Sequence, residues 1–323
     1  MDSKIIQFLI VLVFVPSVIV GYILLIERVL KLVPTKSQAR VRPWLWLAPA
    51  LIFLFIFLIY PTINTFVLSF QDRASKNFIG LDNYAFFFTN GDTLTSLRNS
   101  LLWLVFLTFI AVGGGLLAAI LFDRVRYEAF AKSLIFMPLA ISFVGAGVIW
   151  KFMFEYRPPG APQIGTLNAA VTSLGGEPIA WLQNAPMNTF MLIIVAAWIW
   201  TGFAMVILSA ALKSISTELL EAARVDGATE LQVFRNITFP LLLPTIAVVS
   251  TTMIITALKA FDIVYVMTNG AFDTEVVANR MYKELFNFGQ PGRASAIAII
   301  LLLCTVPFMI YNIRRFRDQE AMR

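Results

Sequence analysis

The sequence contains no histidine and only one cysteine, Cys304. The first absence removes imidazole acid–base chemistry, Ser-His-Asp triads and histidine metal sites together. The second removes any internal disulfide, CxxC pair or thiolate cluster. Charge is scarce as well. Asp, Glu, Lys and Arg make up 14% of the chain, where a soluble domain averages about 25%. No GxxxxGK[ST] loop is present to cradle nucleotide phosphates. The chain is therefore expected to hold no catalytic residue and no metal site. What fills the space is apolar: 59% of the 323 residues are hydrophobic, and mean hydropathy is +0.80. That balance excludes an ordinary soluble enzyme and points to a chain solvated by a bilayer.

A helix needs about 20 apolar residues to cross the hydrocarbon core. Seven uncharged stretches reach or approach that length: 5–26, 45–70, 100–122, 133–150, 187–212, 237–258 and 294–313. The fourth is the shortest, and Lys151 at its end can snorkel to the interface. Barrel strands alternate in polarity, so these unbroken runs read as helices. The expected fold class is an all-α polytopic membrane protein with about seven transmembrane helices. Tyr60-Pro61 predicts a kink in the second.

Lysine and arginine counts orient such a bundle. One side holds fifteen: Arg28, Lys31, Lys36, Arg40 and Arg42, then Arg124, Arg126 and Lys132, then Lys213, Arg224 and Arg235, then Arg314, Arg315, Arg317 and Arg323. The other side holds nine, Lys259 aside. The richer side is read as cytoplasmic, with the N-terminus outside and the C-terminus inside. The net charge of +6 follows from this membrane rule. It implies no nucleic acid, which would call for basic residues interleaved with stacking aromatics on one face. The first stretch is too long for a signal-peptide core of about 7–15 residues, and its positive charges follow rather than precede it. It is read as a retained helix. Residues 1–43 then form an extra helix with a basic linker broken by Pro34 and Pro43, and 44–323 form the main domain.

The long basic-side segment 213–244 carries the functional argument. Ser216 or Thr217 is positioned to cap a helix with Glu218 in its first turn. Leu219, Ala222 and Ala223 share a face, and Gly227 ends the run by permitting positive φ. Thr229 and Gln232 have capping-box spacing for a second helix, along which Leu231, Phe234 and Ile237 align. Pro240 and Pro244 mark the start of the next span. Two short amphipathic helices around a glycine turn suit either a lipid-headgroup surface or a protein partner. A headgroup surface favours a lysine-rich face, and this segment is nearly charge-balanced.

Glu221-Ala222-Ala223, Asp226-Gly227-Ala228, Phe234, Ile237, Pro240 and Pro244 resemble the EAA loop of ABC importer permeases. The stretches 78–84, 97–100, 167–169 and 179–182 resemble outer segments of carbohydrate-importer permeases. Ala260 to Gly270 resembles the stretch after the sixth span in maltose-permease F-type subunits. The resemblance runs from about Trp44 to the C-terminus. It implies a type I importer core of six helices behind one extra N-terminal helix, in a bacterial inner membrane. It also implies that the EAA loop docks as a coupling helix on a cytoplasmic ABC ATPase dimer. That ATPase, not this chain, binds ATP and Mg²⁺. A second related permease and an extracytoplasmic sugar-binding protein complete the implied system, which works by alternating access. Overall similarity around 260–300, including Val276 to Phe286, implies α-glucosides or disaccharides such as maltose or trehalose.

Polar and aromatic side chains at membrane depth are candidates for the sugar path. Thr252, Thr256 and Lys259 fall on one helical face, Asp262 follows, and Trp200 and Phe203 lie on the fifth span. The plainer alternatives are threonine hydroxyls bonded to their own helix, a Lys259–Asp262 ion pair and tryptophans that only pack. The maltose member of the family resembled carries serine and asparagines along the span after its loop, where Met253 to Ala260 here offers mainly Thr256 and Lys259, so individual contacts do not transfer. A stand-alone secondary transporter or channel is the competing function. It calls for intramembrane acids, of which Asp262 is the one candidate, and leaves the EAA loop without a role. A retinal protein using Lys259 and an intramembrane enzyme fit less well still.

Overall fold

The computed structural model describes residues 3–123 and 125–321. Arg124 and Arg323, two of the cations in the charge count, lie outside the described residues. The element order is α1 (Ser3–Lys31), α2 (Thr35–Leu54), α3 (Tyr60–Leu68), α4 (Asp82–Thr89), α5 (Gly91–Phe122), α6 (Glu128–Phe136), α7 (Phe143–Met153) and α8 (Thr166–Ser173). There follow α9 (Met187–Lys213), α10 (Thr217–Val225), α11 (Glu230–Val233), α12 (Phe239–Leu258), α13 (Asp262–Met267), α14 (Val277–Phe286) and α15 (Pro291–Ala321). Among the described residues the one strand-like feature is an isolated bridge between Gln71 and Phe78. Among the described residues six helices are long and apolar enough to cross a membrane, and there are seven spans if the bent pair α6 and α7 counts as one. All seven expected stretches are thus helical.

The chain divides into two compact units, Met1–Asn64 and Thr65–Arg323. In the first, α1 and α2 are separated at Pro34, as the linker composition predicts. Gln38 Nε2 donates to the carbonyls of Leu30 and Val33, both at 3.0 Å, and closes the end of α1. Tyr22 donates its hydroxyl to the Leu45 carbonyl. Pro43 does not break the chain, because α2 runs through it. No residue of α2 is buried. An apolar helix without buried residues belongs in lipid or against another chain. The kink expected at Tyr60-Pro61 is a π-helical turn over Phe55–Ile59, which absorbs the hydrogen bond that proline cannot donate.

In the second unit α9 is the central helix, with 56% of its span buried against 33% for α5, α12 and α15. It packs along α5, α6 and α12. Trp103, Leu107, Leu192, Ile199, Met205, Leu208 and Met253 form the core between them. The fourth span is not straight. It reaches α7 from α6 through a 3₁₀ turn at Met137–Ala140, and the two arms bend by 101°. Pro138 at the start of that turn removes a helical donor, and Ser142 caps α7 by accepting from the Gly145 N–H at 3.0 Å. The hinge lies directly on α9 at Gly202. A Cβ there would stand 2.5 Å from the Ile135 carbonyl oxygen and 2.6 Å from Phe136 Cα. The beginning of α6 is held to the end of α9 by Glu128, which pairs with Lys132 at 2.5 Å and Lys213 at 2.6 Å.

The loops at the opposite end are fixed by buried amides. Asn168 donates to the carbonyls of Glu155 (2.9 Å) and Ile179 (3.0 Å), and accepts from Ile179 N–H (2.8 Å) and Trp181 Nε1 (3.1 Å). Asn83 donates to the carbonyls of Ser69 and Gln71, both at 2.9 Å. Asn99 donates to those of Asp273 (2.5 Å) and Glu275 (2.9 Å), and Ser100 accepts from Val277 N–H at 3.0 Å. These contacts give a physical reason for the short polar stretches around 83, 99 and 168: each ties a loop to the bundle where backbone groups would otherwise be unpaired.

Candidate functional site

Two sites emerge, one at each end of α12. With about 1.5 Å of rise per residue, its 20 residues separate them by about 30 Å.

The first is the segment between α9 and α12. Ser216 occupies the N-cap of α10, but its side chain makes no capping hydrogen bond. The end of α10 is a Schellman motif: Ala228 N–H donates to the Ala223 carbonyl and Gly227 N–H to the Arg224 carbonyl, both at 3.0 Å. This geometry puts Gly227 at φ +85° with no atom within 4 Å of a Cβ position. Glycine is needed there for conformation, not for space. The Thr229–Gln232 capping box forms as its spacing predicts: Gln232 Oε1 accepts from Thr229 N–H at 2.8 Å, and Thr229 Oγ1 accepts from Gln232 N–H at 3.4 Å. Arg224 bridges the turn to Glu230, with Nε donating to Oε1 at 2.6 Å and Nη2 to Oε2 at 3.3 Å. That partner raises the guanidinium pKa further.

The expectation of a separate second amphipathic helix is corrected. α11 continues through a π-helical turn over Phe234–Thr238 directly into α12. Pro240, in the first turn of α12, lacks the N–H that a regular helix would use, and the π turn takes up the register. The Gly227 turn is therefore joined rigidly to the span behind it. Glu221, Ala222, Asp226, Gly227 and Pro240 are exposed, while Ala223, Ala228, Phe234 and Ile237 are partly buried. Beside them Val225 is 87% and Leu231 74% exposed.

The second site is a cavity of about 50 Å³ at the far end of α12. It brings together four of the six residues singled out for the path: Trp200, Thr256, Lys259 and Asp262. Phe203 stands behind Trp200 in edge contact, with centroids 5.6 Å apart. Thr252 is not part of the lining. Its hydroxyl donates to the Val248 carbonyl at 3.1 Å, and that of Thr256 donates to the Thr252 carbonyl at 2.9 Å. Thr256 thus offers the cavity an acceptor rather than a donor. Lys259 and Asp262 do not form the ion pair weighed for them. α12 ends at Leu258, Lys259 is its C-cap, and Asp262 opens α13, where the helix N-terminus favours a carboxylate. The result is an ammonium and a carboxylate on separate helices beside one aromatic-lined space.

Sequence reasoning missed Trp103, Phe143 and Phe261, which also line the cavity. Phe143 stacks on Trp200 with centroids 6.0 Å apart. The Trp103 Nε1–H is buried without an acceptor. Near the start of the stretch 100–122, Trp103 reads as an interface tryptophan, so the sequence carried no signal for it. A free volume of about 50 Å³ holds a few waters. It is below the roughly 300 Å³ of a ligand pocket, so the cavity is closed to a sugar in this conformation.

Residues 111–314 match the family described as "Binding-protein-dependent transport system inner membrane component". The osmoprotective compounds uptake permease protein GgtC of Synechocystis is 57% identical over 279 residues, covering 86% of this chain and 100% of the relative. The alpha-glucoside transport system permease protein AglF of Rhizobium meliloti is 49% identical over 275 residues, covering 85% and 82%. Among solved structures, a chain of a bacterial ABC transporter that imports alginate superposes with TM-score 0.74 at 23% identity, covering 86% of this chain and 96% of that one. The same transporter type in complex with an alginate pentasaccharide-bound periplasmic protein gives 0.75 at 22%, covering 86% and 94%. Both share the fold.

Proposed function

Because the chain belongs to the family of binding-protein-dependent transport system inner membrane components, we propose that it is the permease subunit of an ATP-driven importer of small α-glucosides. The observation that carries the coupling role is the exposed surface around Glu221, Ala222, Asp226 and Gly227, held by a Schellman turn and continuous with α12. A cytoplasmic ABC ATPase dimer, which binds ATP and Mg²⁺, docks there. Its closure moves α12 as a rod and reshapes the cavity at the other end. A second, related permease completes the pathway, and an extracytoplasmic binding protein delivers the sugar. The chain lies in the bacterial inner membrane with its N-terminus outside and its C-terminus in the cytoplasm. Residues 1–43 are an extra helix and linker added to the importer core at 44–323.

In the cavity, Trp103 and Trp200 present apolar faces to sugar C–H groups, while Lys259, Asp262 and Thr256 meet its hydroxyls. The relative named for α-glucosides, at 49% identity, supports the substrate class, and the one at 57% is named for osmoprotective compounds. The second name favours a further reading, in which the α-glucoside is small and accumulates as a compatible solute. Uptake of radiolabelled maltose, trehalose and glucosides of short polyols by cells expressing the whole system tests both readings. ATP-dependent uptake competed by α- but not β-glucosides is expected. Uptake by this chain alone, without the ATPase, would instead establish a secondary transporter.

A further inference from the structure

Helix α14 is amphipathic in an inverted sense. Its charged side is the buried one: Arg280 pairs with Glu284 at 2.7 Å and with Asp92 at 2.9 Å, and Lys283 pairs with Glu275 at 2.6 Å. Glu284 is 1% exposed. The opposite side carries Tyr282 and Phe286, four residues apart on one stripe. Phe286 is 67% exposed and the neighbouring Tyr265 40%. The Arg280–Glu284 and Lys283–Glu275 pairs are thus covered while the rings face outward, towards lipid or a ligand.

These rings form a continuous chain. Phe286 contacts Tyr282 (4.7 Å between centroids), Tyr282 contacts Tyr265 and Phe261 (both 5.3 Å), and Tyr265 stacks on Phe261 (5.1 Å, 24°). The chain ends at the cavity, because Phe261 lines it beside Lys259 and Asp262. Tyr265 and Tyr282 meet edge to face, with ring planes at 69°, and each carries a hydroxyl on its rim. The track is thus a ladder of ring faces edged by hydroxyls, anchored from behind by ion pairs. Sugars have the matching chemistry, with apolar C–H faces and hydroxyl rims.

We propose that Phe286, Tyr282, Tyr265 and Phe261 form a stacking track along which the sugar passes between the outer surface and the cavity. This rests on the sugar-importer reading. The track lowers the KM of uptake by holding the sugar at each ring in turn, and its continuity with the cavity favours the sugar over a protein as occupant.

The test uses the complete transporter, with uptake measured at saturating ATP and a range of loaded binding protein. Tyr282→Leu and Phe286→Leu keep apolar bulk and remove the rings. Each is expected to raise KM about two- to tenfold, and the pair together more than either alone. Tyr282→Phe and Phe286→Trp keep the rings and are expected to stay within twofold. Co-purification of the other subunits is measured for every variant. An unchanged KM in the double leucine variant overturns the track. Loss of a co-purifying subunit in the leucine variants, with retention in the ring-keeping ones, also overturns it and makes the face a protein interface. A wild-type transporter that takes up no α-glucoside sinks the substrate reading alone, and the same KM comparison is then made with the polar solute it does carry.

Discussion

Substitution at Gly227 separates conformation from contact at the turn proposed to couple transport to the ATPase. The residue sits at φ +85° in open space, so an added Cβ meets nothing. The whole cost of Gly227→Ala is then the left-handed backbone, roughly 1–2 kcal/mol. That penalty lowers the ratio of formed to open turn by about 5- to 30-fold. The membrane spans are untouched, and the chain stays in the membrane. Asn tolerates this conformation far better than Ala, so Gly227→Asn is expected to recover most of the loss. Gly227→Asp has the same shape as Gly227→Asn but places a second carboxylate beside Asp226, and it is expected to uncouple transport. The assay is ATPase activity of the purified complex stimulated by loaded binding protein, with membrane abundance as the control. The expected order is Gly, then Asn, then Ala, with Asp below Asn. Equal stimulation for Gly and Ala would refute the need for the turn. Equal damage from Ala and Asn would show that space, not φ, is what glycine supplies there.

At the hinge of the broken span, Gly202→Ala drives a methyl into the Ile135–Phe136 backbone. It is expected to destabilise by about 1–3 kcal/mol, visible as a lower melting point in detergent; an unchanged midpoint would mean α6 does not sit there. Asn168→Ala leaves the Ile179 N–H, the Trp181 Nε1–H and the Glu155 carbonyl without their partner, a cost of about 1–3 kcal/mol. Protease cleavage within 157–163 should accelerate, and an unchanged rate would contradict the pinning role. Asp72 is held below the usual carboxylate range by the Lys76 N–H, with the Asn77 side chain and N–H adding to it. A depressed folded value means that its stabilisation of the 70–79 loop is present above the unfolded carboxylate pKa and is lost as pH falls through the folded one. Amide exchange at Lys76 and Asn77 should therefore rise in acid relative to neutral pH after correction for intrinsic rates, and equal protection at both would reject the argument.

Local chemistry made much of the segment between α9 and α12 legible in advance. Positive φ at Gly227 and the Thr229–Gln232 box depend on neighbours a few residues away, and such short-range signals survive in a linear reading. The π turn before Pro240 was not read, because proline announces a lost donor but not how the helix absorbs it. The bend of the fourth span was hidden for a related reason. A run of apolar residues reports length, while direction is decided by Pro138 and by the seat that Gly202 offers on another helix.

By itself the sequence determined the class of solvent, the apolar stretches that become helices and the glycine turn at Gly227, since hydropathy and backbone preference are properties of short stretches. Only the tertiary structure decided which side chains share the cavity. Trp103, Phe143, Trp200 and Asp262 come from α5, α7, α9 and α13, and no periodicity links residues so far apart. It also decided that α14 turns its charges inward. Amphipathicity gives a helix two faces, but which one is buried depends on the Asp92 and Glu275 that wait on other elements.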